Sequence, residues 1–358
     1  MRHAAIAREA WRNILSGTAR TGLLAVVLIA TAVGFQLADL LTVRGITERA
    51  AAFRAAGADI LVYSSTGGID PVRCSLLAEQ PDVIAAGATR REPDRFAAAL
   101  PASSIPTFAV TAGFPGVLLG DHAAQSAGVV LSRDLAETLD LTIGDTLRVL
   151  DGAAPVTGVY DYPQDGRTTG FGYALLTPTA DTAPFDACWV REWPQSETTE
   201  MLLRGVTTTG TPEADAPTPE LSQLNSTLGR RLDATALFTA RTTRWAPLLA
   251  LLAAAAVGFT AARLRRLEIA SARHLGVSTT AQSLGAVLES AAWALPVALV
   301  GAVSAAWVAA GGQASDVAST LVLGALAPVA TIIGGTVGAV VATATVRERQ
   351  LLRYLKER

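Results

Sequence analysis

The sequence predicts an α-helical membrane protein with four transmembrane helices and an extracytoplasmic α+β domain inserted between helices 1 and 2. Three observations lead there. Apolar stretches run about Gly22 to Leu41, Trp245 to Ala262, Leu284 to Ala310 and Ala318 to Ala344, each near or above the roughly 20 residues that an α-helix needs to cross a hydrocarbon core. The long interval between the first two reads as short strands and turns. Basic residues collect on one side of the stretches. Half of the chain is hydrophobic, 17% is charged and the mean hydropathy is +0.36. Helices of this length, apolar all round and almost free of charge, do not fit inside one soluble domain.

Charge sets the expected orientation, because Lys and Arg in short flanking segments stay on the cytoplasmic side. The segment before Gly22, the loop after Ala262 and the tail after Ala344 together carry 13 basic and 4 acidic residues, whereas Val43 to Arg244 carries 16 basic and 24 acidic ones. Both termini and the second-to-third loop are therefore expected in the cytoplasm, with the large domain outside, as in a multi-pass protein of a bacterial plasma membrane. Ala30-Thr31-Ala32 has the small-x-small form of a signal-peptidase site, but the apolar run continues to Leu41, too far for a signal core.

The expected domains are 1-42 (a cytoplasmic amphipathic helix and the first span), 43-243 (the outer domain), 244-346 (three spans and a cytoplasmic loop, 263-283) and 347-358 (a basic tail). In the outer domain, Val129 to Leu131 reads as a strand, Ser132 as a helix N-cap with Asp134 in the first turn, and Leu135 to Leu139 as a short helix. Thr146 to Leu150 and Pro155 to Tyr160 form a hairpin around Asp151-Gly152. Ala58 to Tyr63, Val83 to Thr89, Thr107 to Thr111 and Tyr173 to Thr177 are further strands, and the Thr/Pro-rich Thr207 to Pro219 is an exposed loop. At the domain's ends, Ile46, Ala50 and Phe53 continue the first span, and Thr218 caps a helix carrying Leu221, Leu224, Leu228 and Leu232. Two such helices would make a stalk, or separately cap the domain core. Cys74 and Cys188 both fall in the outer domain, where a disulfide is permitted; two unpaired buried thiols are the alternative.

Local motifs carry a family resemblance. Arg265-Arg266-Leu267-Glu268-Ile269-Ala270 and Arg273-His274-Leu275-Gly276-Val277-Ser278 resemble the cytoplasmic coupling segment of FtsX/MacB-like permeases, the type VII or mechanotransmission ABC transporters. Glu289 stands where that family places an acid at the start of the third span. "GVVLSRDLAETLDLTIGDTLRV" followed by "PVTGVYDYP" resembles its periplasmic core, and Trp11 to Thr21 its amphipathic lead-in helix. Two departures stand out: Thr279-Thr280 replaces a frequent basic pair, and the tail lacks the usual Pro. The resemblance implies a non-catalytic subunit that pairs with a second permease copy or paralogue as a dimer. A separate cytoplasmic ABC ATPase subunit, holding ATP and Mg, would supply energy through Arg265, Arg266, Glu268, Ile269, Arg273, Leu275 and Gly276.

Helical spacing puts Glu268 and Ala272 on one face and Arg266, Ile269 and Arg273 on another, a basic amphipathic helix suited to a partner groove or to anionic membrane lipid. The chain's only lysine, Lys356, is three residues from the end, so no P-loop exists and ATP hydrolysis must occur elsewhere. No G-x-S-x-G or H-E-x-x-H constellation suggests an enzyme. His3, His122 and His274 with two cysteines form no metal-ligand pattern, and nothing suggests nucleic-acid binding. Polar groups within the spans are default functional candidates: Gln36 and Asp39 near the outer end of the first, and Glu289 in the third. Gly334 and Gly338 form a G-x-x-x-G that would permit close helix approach, although it is common in so Gly/Ala-rich a span.

A MacB-like permease would export or extract a peptide, lipid, lipoprotein or hydrophobic small molecule, and few His or Met residues speak for haem. An FtsX-like transmitter would instead switch an extracytoplasmic protein such as a cell-wall hydrolase.

Overall fold

The computed structural model describes residues 3–16, 20–120, 128–208 and 218–347, without the side chains of 3–5. His122, most of the Thr/Pro-rich loop and all but the first residue of the basic tail lie outside the described residues. The chain divides into two compact units: Met1–Thr47 with Thr235–Arg358, and Glu48–Ala234.

The first unit is helical. It holds α1 (His3–Leu15), most of α2 (Thr21–Ala55), α7 (Ala234–Ala240), α8 (Ala246–Leu264), α9 (Arg266–His274), α10 (Thr279–Ala310) and α11 (Val317–Thr345). Four helical segments are long and apolar enough to cross a membrane: Thr21–Ala55, Thr242–Leu264, Thr279–Ala310 and Ala314–Thr345. They match the four apolar stretches, and each extends past its apolar run. The third begins at Thr279, five residues before Leu284, because Ser278 accepts the Ala281 N–H at 3.3 Å and caps it. Leu28, Ala32, Ala254, Trp293 and Val297 form the buried centre.

Helices α8 and α11 meet through glycine. A Cβ at Gly334 or Gly338 would fall on the backbone carbonyl of Leu251 or Ala255, and one at Gly258 on that of Gly335. The G-x-x-x-G is thus the seam between these helices, since only hydrogen lets the two backbones come so close.

The second unit is a sheet domain whose nine strands are ordered β3-β7-β4-β6-β5-β2-β8-β1-β9, with β2 also pairing β3. The strands are β1 (Ile60–Ile69), β2 (Val83–Ala97), β3 (Leu100–Val110), β4 (Val129–Ser132), β5 (Thr146–Val149), β6 (Gly152–Tyr160), β7 (Leu175–Pro178), β8 (Phe185–Glu192) and β9 (Glu220–Gln223). The β2–β3 pairing closes six strands into a ring, and β8, β1 and β9 extend from the first half of β2. Short helices α3 (Pro71–Leu76), α4 (Phe114–Leu119), α5 (Arg133–Thr138) and α6 (Glu197–Arg204) punctuate it. Phe108, Phe114, Tyr160, Phe171 and Trp189 fill one core, and Leu131, Leu135, Leu147 and Leu175 another.

The Ser132 cap forms as expected, accepting the Leu135 N–H at 3.4 Å. The leucine-spaced segment after Pro219 differs: it is not a helix. Leu221 pairs with Tyr63 and Gln223 with Leu61 along the free edge of β1, and Leu224 is buried in the first core. Satisfying that row of backbone groups outweighs local spacing, and the helix starts only at Ala234. The sequence pattern does not predict strand β8, since Asp186, Arg191 and Glu192 interrupt its apolar run.

Candidate functional site

In the helical unit the charged groups converge on Glu289. Its Oε1 accepts from the Asn13 side-chain amide of α1 at 2.7 Å, and its Oε2 from Arg265 at 2.7 Å. Arg265 also holds Glu268 through its Nε at 3.0 Å. Three segments are thus tied by one carboxylate: α1, the α8–α9 corner and α10. The pair is largely withdrawn from solvent, with side chains 23% and 17% exposed, so each charge depends on the other.

The second clasp is Arg273. It donates to the carbonyls of Thr343, at 2.6 Å, and Val346, and its Nε holds Gln282 at 2.8 Å. This joins the end of α9 to the end of α11, where orphan carbonyls attract a cation. Ala270 packs against Val346 beneath it, with Ile269 alongside. Gly276 adopts φ +87°, which turns the chain from α9 into α10. Leu275, 84% exposed, projects outward, whereas Glu268 stays on the Arg265 side and borders the cavity described below. The amphipathic loop helix therefore has an inner side that grips the spans, through Arg265 with Glu268 and through Arg273, and an outer end that presents Leu275. Arg266 is half-buried. A cavity of about 670 Å3 opens among α1, α8, α9 and α10, with Arg265, Glu289 and Trp293 in its lining.

The other two polar candidates, both in α2, are each bonded to another segment of the helical unit. Gln36 is buried, donating to the Gly301 carbonyl at 2.8 Å and accepting from Ser304 at 3.0 Å. Asp39 is buried against Arg241, 2.9 Å away, and the Arg241 guanidinium lies 3.9 Å from the centre of the Phe238 ring. Sequence reasoning misses Asn13 and Arg241. Arg241 is legible in principle as a cation just before the second apolar run, opposite an acid at the same end of the first.

In the sheet domain, the end of α2 sits in a polar socket. Arg191 donates to the Arg54 carbonyl at 3.3 Å, Arg167 to that of Ala55 at 2.6 Å, and Asn225 to that of Ala56 at 3.1 Å. Phe53 is buried beside Trp193, with ring centres 6.1 Å apart. The last carbonyls of α2 are thereby satisfied by side chains rather than water. Cys74 and Cys188 form a disulfide between α3 and β8.

No protein-family model matches the chain, and no curated protein does. Solved structures do. The periplasmic region of MacB from Actinobacillus actinomycetemcomitans is 11% identical, covering 42% of this chain and 82% of its own, with a TM-score of 0.31. A domain assigned to a permease protein from Porphyromonas gingivalis is 16% identical, covering 50% of this chain and 94% of its own, also with a TM-score of 0.31. The family that the sequence resembles is represented among the chain's structural neighbours.

Proposed function

We propose that the chain is the membrane subunit of an FtsX/MacB-type ABC transporter, coupling ATP hydrolysis on a separate ATPase to movement of the sheet domain outside the plasma membrane. The observation that carries this reading is the two-sided α9. Its inner arginines fasten it to α10 through Glu289 and to α11 through Arg273, while Leu275 faces away. A force applied to the outer side would reach two spans through short, half-buried polar links rather than through a flexible loop. The socket around the last turn of α2 supplies a matching attachment at the other end, because displacement of a capped, packed helix end moves the strands that hold it. Asp39–Arg241 and Gln36–Gly301 would keep the spans moving as one body. The cargo would be extracted from, or expelled at, the outer membrane face by a dimer of such subunits.

The test is copurification. Chain extracted from its native membrane should retain an ABC ATPase, and replacing the exposed Leu275 with Asp should release that ATPase while membrane insertion and thermal unfolding stay unchanged. Retention of the ATPase by this variant, or no ATPase with the native chain, would sink the assignment.

A further inference from the structure

The sheet domain and the last turn of α2 enclose a cavity of about 430 Å3 whose charged lining is Arg54, Arg133, Arg167, Arg191 and Asp161. Such a concentration of guanidinium groups is unusual unless carboxylates answer them. Arg191 has Asp59 at 2.9 Å, Arg167 has Asp165 at 3.2 Å, and Arg133 grips Asp161 with two donors. Arg54 has no ion pair among the described residues. It lies 5.5 Å from the centre of the Trp193 ring, and its buried Nε lacks a hydrogen-bond partner. The cavity is therefore lined by one guanidinium without an ion pair among the described residues, which Asp59 attracts only at longer range. Capping of the α2 carbonyls by Arg167 and Arg191 removes the negative helix end that would repel an anion.

We propose that this cavity binds a phosphate-type oxyanion between Arg54 and Arg133. Planar guanidinium forks suit tetrahedral oxyanions, which accept several charge-assisted hydrogen bonds at once. The Arg133 side chain is half-exposed and can turn from Asp161 to the ligand. The cavity is larger than a bare ion, and Ile60, Leu118, Leu119 and Val159 give it an apolar wall. The oxyanion is thus one carried by an organic group, either a soluble phosphate monoester or a phospholipid headgroup. This inference rests on the sheet domain alone and is independent of the ATPase assignment.

The full chain in an uncharged detergent would be titrated calorimetrically with inorganic phosphate, with phosphatidylglycerol or phosphatidylcholine as competitor. Saturable phosphate binding is expected, weakened about tenfold or more by Arg54→Gln and by Arg133→Gln, and unaffected by Arg204→Gln on the exposed end of α6. Competition by phosphatidylglycerol but not phosphatidylcholine would identify a lipid headgroup as the source, and no competition a soluble phosphate compound. Because Arg133 is half-exposed, its variant tests the site even if Arg54→Gln misfolds. Absence of saturable binding, or binding that both variants leave intact, would overturn the proposal.

Discussion

Asp59 is fully buried beside Arg191, and Glu192 is fully buried next to it in sequence. Burial pushes both carboxyls above their ordinary values of 3.8 and 4.5; Arg191 opposes the shift at Asp59, and the Thr199 and Ser196 hydrogen bonds oppose it at Glu192. An acid whose folded value is raised holds its proton more tightly folded than unfolded. Its stabilising contribution is full below the unfolded value and is lost as pH rises through the folded one. The sheet domain is therefore expected to gain stability as pH falls through the raised folded values of these two carboxyls towards their ordinary range. At lower pH the trend reverses, because hydrogen bonds from Thr142, Arg133 and Ala183 hold Asp145, Asp161 and Asp181 below the usual range. Thermal unfolding followed by Trp fluorescence would show it, and Glu192→Gln should flatten the rise. Arg191→Ala should cost about 3–5 kcal/mol by stranding Asp59; pairing it with Asp59→Asn should recover much of that, read from the same melts.

At the scale of elements, the α8–α11 seam makes the sharpest demand. Gly338→Val puts two methyl groups where the Ala255 carbonyl lies, so it should cost more than the roughly 1–3 kcal/mol of ordinary overpacking and lower the yield of monodisperse protein. Gly34→Ala, in an α2 position with open space around it, is the tolerated control, and size-exclusion profiles in detergent separate the two. Much of this architecture was legible because each span is a long apolar run, and because Ser132 and the Asp151-Gly152 turn act locally. Strand β9 and the buried β8 were not legible: their state depends on the free edge of β1 and on the disulfide-linked core around Cys188. The same division applies to the candidate site. Arg265, Arg273 and Glu289 could be singled out from type and place, but which arginine faces inward depends on a partner 24 residues away for one and 73 for the other.

At the scale of the whole molecule, the chain has a helical unit in which α9 is anchored to the spans by Arg265 and Arg273, and a sheet domain braced at its core. The Cys74–Cys188 disulfide closes a loop of 114 residues between α3 and β8, so Cys74→Ser with Cys188→Ser should lower stability by about 2–5 kcal/mol, measured as a shift in the denaturant midpoint. Under the proposed function such a brace would keep the strands from slipping and absorbing a displacement carried by α2.

Both cysteines are bonded, so Ile143→Cys, at a position 65% exposed, supplies a single site for a spin label on the sheet domain. The decisive measurement is the label-to-label distance across the proposed dimer, reconstituted with the ATPase that copurifies with it and compared before and after ATP is trapped. The distance distribution should shift on trapping, and Glu289→Gln should suppress the shift while ATP binding persists. An unchanged distribution in the native chain, or a shift that survives loss of Glu289, would contradict coupling through the α9 clasp.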